Sequence, residues 1–533
     1  MNMPKTNIRL PFLIGPFLIF LILFAPLLAA KEAPQVTANG EVLKGVWEGD
    51  NGSIAAFKGV PFAAPPVGDL RWRAPQPHQP RKGPQSATEF APGCMQNDYL
   101  VQWYVGVATK MGHSADVVGR PNGVSENCLY LNVWTPDRKP DQPLPVMVWV
   151  HGGSNKSGWS YEPNYIGKRL AAKGVVVVTI AYRVGPFGFF SHPKLENGEG
   201  EPVANFGFLD VVHAFRWVKE HIRAFGGDPE NITAFGESSG AGDIRDWLAT
   251  EIVELRLYHN AIAQSPAGAL TDRRTLADEQ KTGEAMLAYL GFDNEDLDNE
   301  QLRAIPAQDI VRAGVEALPG HYFDVVVDDL TFNLMPLESF SRQQMSNVNF
   351  LIGSNRDEWY MYYDPAMTWD DVDQWLEQRT PAQASILKLK VAGETDVRRA
   401  FDRLTAAHDT HCPVRHIAAS INAVGGNAWV YYFTRQRPGD AMKNLGVYHG
   451  TEIGYVFNEH EVWQPTDEVD EWLTDIVMDY WVQFARTGNP NVPGRPAWPR
   501  YTVAEPRVME LGDDVRVIPP HDADFCLWLG PRR

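Results

Sequence analysis

The order of apolar strands and amphipathic helices along this 533-residue chain predicts an α/β protein. It is built on a mostly parallel central sheet, flanked by helices and carrying helical cap insertions. Three observations lead there. Short runs rich in β-branched and aromatic residues recur at Pro145–Val150, Val175–Ala181, Asn231–Phe235, Asn349–Gly353 and Ala428–Phe433. Between the second and third runs, Val211 to Phe225 carries apolar residues at helical spacing, and strand, helix, strand is the signature of a parallel crossover. Two polar, helix-forming stretches, about 270–345 and 365–425, interrupt the strand series, so they are expected as cap insertions in a single domain spanning 31–533.

The elements follow in order. Lys5 and Arg9 precede an apolar run from Leu10 to Ala30 that ends in the small residues Ala29 and Ala30. This reads as a secretory signal peptide over residues 1–30, and hence as a secreted or periplasmic protein. A retained N-terminal membrane anchor is the alternative, which Pro11, Gly15, Pro16 and Pro26 weaken. Residues 31 to about 90 hold short strand-like stretches, and the Pro-rich passage from Pro61 to Pro84 can be neither helix nor central strand, so it runs as extended surface coil. Four cysteines, Cys94, Cys128, Cys412 and Cys526, have no C-x-x-C spacing; in an exported chain they are expected as disulfides, with three connectivities open. The composition, 44% hydrophobic and 21% charged, excludes disordered, collagenous and coiled-coil classes. A net charge of −18 disfavours nucleic acid and anionic membrane surfaces as partners.

The sharpest chemical signal is Gly236-Glu237-Ser238-Ser239-Gly240, set directly after a predicted strand and before a predicted helix. That setting is what a nucleophile elbow requires: the turn is too tight for side chains at the glycines, and it lifts the serine hydroxyl above the sheet. A plain Gly-Ser turn is the competing reading of the motif alone. His151-Gly152-Gly153, after the strand Pro145–Val150, is a second Gly-rich turn able to bare backbone N–H groups toward a developing oxyanion. A phosphate loop would read similarly, but neither G-x-G-x-x-G nor a Walker sequence is present.

Longer segments carry a family resemblance. Gly59-Val60-Pro61-Phe62-Ala63, Ser125 through Trp134, Ala181-Tyr182-Arg183-Val184-Gly185, and Phe225-Gly226-Gly227-Asp228-Pro229 through Gly240 resemble the type-B carboxylesterases, the cholinesterase family within the α/β-hydrolase fold. The similarity runs from about residue 35 to 530. It implies Ser238 as nucleophile, Glu358 of Gly353-Ser354-Asn355-Arg356-Asp357-Glu358 as the acid, and His449 of Gly446-Val447-Tyr448-His449-Gly450-Thr451-Glu452-Ile453 as the base. Without the resemblance His449 could not be chosen over His408, His411, His416 or His460, and Asp357 competes with Glu358. The order Ser, Glu, His agrees with the α/β-hydrolase order. The oxyanion hole is implied at the backbone N–H groups of Gly153, Ser154 and Ser239. The disulfides are implied as Cys94–Cys128, closing a loop near the gorge mouth, and Cys412–Cys526, a long C-terminal bridge; Arg71–Glu126 and Arg183–Asp210 match family ion pairs.

This chain departs from the family pattern in three places. Ser154 stands where a third glycine is usual, Ser239 where alanine is usual, and Trp359 where glycine is common. The two serines add hydroxyls beside the acyl site, and Trp359 puts an indole near the triad, for pocket shaping or for plain packing.

The implied activity is a serine carboxylesterase that hydrolyses carboxylic esters, as small-molecule substrates, through an acyl-enzyme, with no cofactor and no metal, and with membrane contact only if residues 1–30 are retained. A lipase is the rival, but Asn97, Asp98, Gln102, Lys110, His113, Asp116 and Arg120 make the Cys94–Cys128 loop mixed rather than greasy. A non-catalytic adhesion homologue would lack the nucleophile. Choline esters are disfavoured, because the cation-binding tryptophan of the cholinesterases is matched by Val118, although Trp103 lies in the same loop and could fold back.

Overall fold

Side chains alternate across the strands, and that alternation builds two apolar layers. In Leu144–Val150, Val146, Val148 and Val150 face one core, while Met147 and Trp149 face the other. Each fully buried side chain of this size contributes about 1.5–3 kcal/mol. The structure, a computed structural model, describes Met1 and residues 31–250, 257–266, 274–293, 296–345 and 347–529. Past Met1, the leader expected over residues 1–30 lies outside the described residues.

Eleven strands form the main sheet: β1 (Val46–Glu48), β2 (Ile54–Pro61), β3 (Tyr130–Thr135), β4 (Leu144–Val150), β5 (Val176–Ile180), β6 (Gly227–Glu237), β7 (Asn260–Gln264), β8 (Asn349–Asn355), β9 (Asn427–Phe433), β10 (Val508–Leu511) and β11 (Val515–Ile518). Their order is β11-β10-β9-β8-β7-β6-β4-β5-β3-β2-β1. From β5 through β4, β6, β7, β8 and β9 to β10 every pairing is parallel, and the outer pairings are antiparallel. Helix α2 (Phe206–His221) covers one face with the helix Cys412–Ala423, and Glu468–Thr487 covers the other. This is the α/β-hydrolase architecture.

The helices of the two stretches expected as insertions lie between strands. Leu276–Tyr289, Asn299–Ala304, Ala307–Glu316 and Pro336–Arg342 separate β7 from β8; Trp369–Arg379, Ala384–Val391 and Val397–Ala406 follow β8. Met286, Leu302 and Ile310 of the first group share an apolar cluster with Trp72, Phe190 and Phe206, whereas Phe340 joins the sheet core; the second group packs around Val372, Leu387 and Leu404. Cys412–Ala423, within the second expected insertion, lies against the sheet instead. Residues 34–533 cluster as one unit.

Two elements reach further than the sequence predicts. Helix α2 starts at Phe206, before Val211, because Gly207 admits the carbonyl oxygen of Arg183: a Cβ there would stand 2.4 Å from it. Strand β6 starts at Gly227, where a Gly-Asp-Pro sequence reads as a turn, yet Gly227 pairs with Leu144.

Long connections are tied down. Cys94 bonds Cys128, and Cys412 bonds Cys526 across 114 residues. Arg71 grips Glu126 with two hydrogen bonds and also donates to the carbonyls of Arg303 and Ile305, between β7 and β8. Arg183 binds Asp210 through Nε and Nη2, each at 2.7 Å, and both residues are buried. Among the described residues no helix is long and apolar enough to cross a membrane.

The Arg183–Asp210 pair sets a stability test. Arg183→Met leaves the Asp210 carboxylate buried and uncompensated, and is expected to cost about 3–5 kcal/mol in urea unfolding; Arg183→Met with Asp210→Leu recovers most of that loss.

Candidate active site

Parallel strands end on one edge of the sheet, and the loops leaving β4, β6, β8 and β9 meet there. After β6 the chain turns at Ser238, with φ 56° and ψ −126°, and enters helix α3 (Ser239–Leu248). Close packing dictates the neighbouring glycines. A Cβ on Gly240 would stand 2.2 Å from the carbonyl oxygen of Val150, and one on Gly236 would stand 2.7 Å from the same atom.

The structure brings Ser238, His449 and Glu358 into one chain of hydrogen bonds. Nε2 of His449 lies 2.8 Å from Ser238 Oγ, and Nδ1 lies 2.6 Å from Glu358 Oε2. The second oxygen of Glu358 accepts the Asn355 N–H at 2.8 Å and the Ser265 hydroxyl at 2.7 Å, so this fully buried carboxylate has both oxygens engaged. Asp357 is turned away: it binds Arg356 and Arg399 and accepts the Val447 N–H. His408 pairs with Asp409, His411 meets the carbonyl of Asn355, and His460 contacts Thr474 and Arg437; His416 lies on Cys412–Ala423.

Glu237 is the neighbour that sequence reasoning left without a role. Its Oε1 lies 3.3 Å from His449 Nε2, on the serine side of the ring. Burial, reinforced by the carboxylates of Glu452, Glu358 and Glu162, pushes Glu237 well above the usual carboxylate range despite the opposing pull of His449. Burial works against a charged His449, but Glu237 and Glu358 outweigh it and push the imidazole up to about 9. For Glu358, burial acts upward, while His449, Ser265 and the Asn355 N–H hold it below the ordinary glutamate value. Glu452, raised by burial, accepts from Asn355 Nδ2 at 2.6 Å and from Gln264 Nε2 at 3.1 Å. Glu237, Asn355 and Glu452 all sit inside the matched motifs, and motif membership was the available signal for them.

The loop after β4 lies beside the elbow. The N–H groups of Gly153, Ser154 and Ser239 have no acceptor within the described residues. Both extra hydroxyls are engaged: Ser239 Oγ accepts the Asn155 N–H at 3.1 Å, and Ser154 Oγ donates to Tyr322 at 3.2 Å. Two cavities reach Ser238 and His449. One, of about 80 Å³, is walled by Trp103, Tyr104, Glu237, Tyr448 and Trp463; the other, of about 630 Å³, by Ser239, Tyr322, Trp359, Tyr362 and Trp375. Trp103 therefore does fold back to the site, on helix α1 (Tyr99–Lys110), with its Nε1 on the Tyr362 hydroxyl at 2.8 Å, while Val118 is buried nearby in the same apolar cluster. Among the described residues no group of three or more His, Cys, Asp or Glu could hold a metal ion.

A family model described as the carboxylesterase family matches residues 32–525. The chain belongs to the carboxylesterase family. Like its relatives it is a carboxylic ester hydrolase. It is 31% identical to the fumonisin B1 esterase of Sphingopyxis macrogoltabida, over 92% of this chain and 89% of that one. It is also 31% identical to the para-nitrobenzyl esterase of Bacillus subtilis, over 90% and 95%, and to carboxylesterase 1D of Mus musculus, over 86% and 85%. A solved PNB esterase structure superposes with a TM-score of 0.78 at 28% identity, covering 93% of this chain and 99% of that one.

The carboxylates around this carboxylesterase's imidazole generate a titration prediction. Glu237→Gln takes away a carboxyl that, when ionised, favours the imidazolium, so the protonated ring is destabilised and its pKa falls. The low-field imidazole proton resonance of His449 is then expected to titrate at lower pH than in the parent; an unchanged midpoint would show that Glu237 carries no charge there.

Proposed function

We propose that this carboxylesterase acts through Ser238 as nucleophile, His449 as general base and acid, and Glu358 as the orienting acid. The observation that carries this reading is the unbroken Ser238–His449–Glu358 hydrogen-bond chain at the elbow.

A serine hydroxyl is a weak nucleophile. As Ser238 Oγ attacks the ester carbonyl carbon, its proton passes to Nε2 of His449, and the carbonyl oxygen becomes an oxyanion. The N–H groups of Gly153, Ser154 and Ser239, which have no acceptor among the described residues, receive it, and one such donor is worth about 3 kcal/mol. Collapse breaks the bond to the alcohol oxygen, to which His449 returns the proton, leaving an ester on Ser238. Water then repeats the cycle: His449 takes a proton from it, the hydroxide adds to the acyl carbon, and Ser238 leaves with the proton as the acid departs. Through both halves Glu358 keeps Nδ1 protonated and stabilises the imidazolium.

The alcohol and acyl parts of the ester fall into the two cavities that share Ser238. The protein works after export, as a secreted or periplasmic enzyme whose residues 1–30 are a removed leader and whose residues 31–533 are one domain with caps. The charged run at Lys5 and Arg9, the apolar stretch and the two disulfides support this.

Ser238→Ala is expected to lose about 10⁴-fold or more in turnover of a short-chain aryl ester, and an organophosphate is expected to label Ser238 in peptide maps. Glu358→Gln should fall by about 10⁴-fold while Asp357→Asn keeps most activity; the reverse order would move the acid by one position. A rate that jumps as a long-chain triglyceride passes its solubility limit would make the enzyme a lipase.

A further inference from the structure

Trp359 occupies a position where the family pattern commonly has glycine, immediately after Glu358. Its ring centroid lies 4.9 Å from that of His449 with the planes 31° apart, so the indole covers one face of the imidazole. The tryptophan is held from its own backbone: its N–H donates to the buried Asp402 carboxyl at 2.8 Å. The indole Nε1 is buried and has no hydrogen-bond partner among the described residues, so no polar contact of the ring with them explains its placement. The Tyr362 ring centroid lies 6.1 Å from that of the indole, and both rings line the larger cavity.

The imidazolium formed in each half of the reaction has its charge balanced unevenly. Glu358 meets the Nδ1 edge and Glu237 the Nε2 edge, with Glu452 behind them. Those carboxylates serve the edges of the ring. On the side of the larger cavity the charged groups are Arg245 with Asp246, Arg379, Asp324, and the His408–Asp409 pair, a mixture of both signs on the cavity wall. An indole face is electron-rich and attracts a cation within about 6 Å of its centroid, the more strongly where water is excluded.

We propose that Trp359 is a positioning residue that stabilises the protonated form of His449 through the face of its indole. The inference rests on the reading of His449 as general base. Its consequence is that His449 holds its proton to higher pH, and carries the charge of the transition state at lower cost, than carboxylates alone would permit.

The experiment is the pH profile of kcat/KM for 4-nitrophenyl acetate in the parent, in Trp359→Leu and Trp359→Phe, and in a chain carrying difluorotryptophan at position 359, which keeps the shape while draining the ring face. Active sites are counted by organophosphate titration so that rates refer to folded enzyme. The acid limb is expected to move to lower pH by about half to one unit in Trp359→Leu, with Trp359→Phe between, and the plateau to fall by about three- to tenfold. The fluorinated chain should shift the same way without loss of titratable sites. An acid limb unmoved in the fluorinated chain and in Trp359→Leu overturns the proposal and leaves the ring as packing, even if activity falls. If Trp359→Leu does not fold, the fluorinated chain decides. Turnover surviving in Ser238→Ala would instead sink the underlying triad reading, which separates the two failures.

Discussion

Everything at this site depends on the contact between the start of helix α3 and the end of strand β4. With no side chain at Gly236 and Gly240, the elbow can press against the carbonyl oxygens of Val150 and His151. That contact sets Ser238 and the Ser239 N–H on α3 beside Gly153 and Ser154 on the loop that leaves β4. A methyl group at either glycine would push the two apart, and Ser238 would lose register with the loop that leaves β4. The unusual backbone of Ser238 belongs to the same constraint, since a strained turn persists only where its surroundings over-determine it.

Around this contact the chain buries carboxylates at a density that only specific pairing makes tolerable. Glu358, Glu237, Glu452 and Glu162 are all buried on the active-site side of the sheet, yet they are not equivalent. Glu358 has donors on both oxygens and stays low, whereas Glu237 keeps an oxygen with no hydrogen bond among the described residues and is driven up by burial. Glu162, pushed up to about 7 by burial, accepts from Tyr104 on helix α1 and so ties the disulfide loop to the floor of the smaller cavity. The imidazole is the charge that these groups are arranged around.

The walls come from elsewhere in the chain. Helix α1, inside the Cys94–Cys128 loop, buries Val101, Tyr104, Val107 and Ala108 and sends Trp103 to the site. Arg71 links that loop, through Glu126, to the carbonyls of Arg303 and Ile305. Within the loop Val101, Tyr104, Val107, Ala108 and Val118 are packed inward, while Tyr99 and Val124 stay exposed.

The parts legible in the sequence were those whose determinants are local. The strand series, the Gly-rich turns and the elbow are short patterns read by nearest neighbours, and the matched motifs named Ser238, Glu358 and His449 together with both cysteine pairs. Burial and alternation needed no partner to be recognised. Contacts between distant residues were not legible in that way. His449 lies 211 residues from Ser238 and 91 from Glu358, and only the parallel order of β6, β8 and β9 brings them to one edge. The early start of α2 and the full length of β6 were hidden because Gly207 and Gly227 are poor formers of either element, and close backbone approach overrides propensity there. The same holds for Glu237, for the engaged hydroxyls of Ser154 and Ser239, and for the indole of Trp359 against His449. Residue type announced each of them, but charge, burial and stacking are properties of neighbours, and the neighbours were chosen by the tertiary structure.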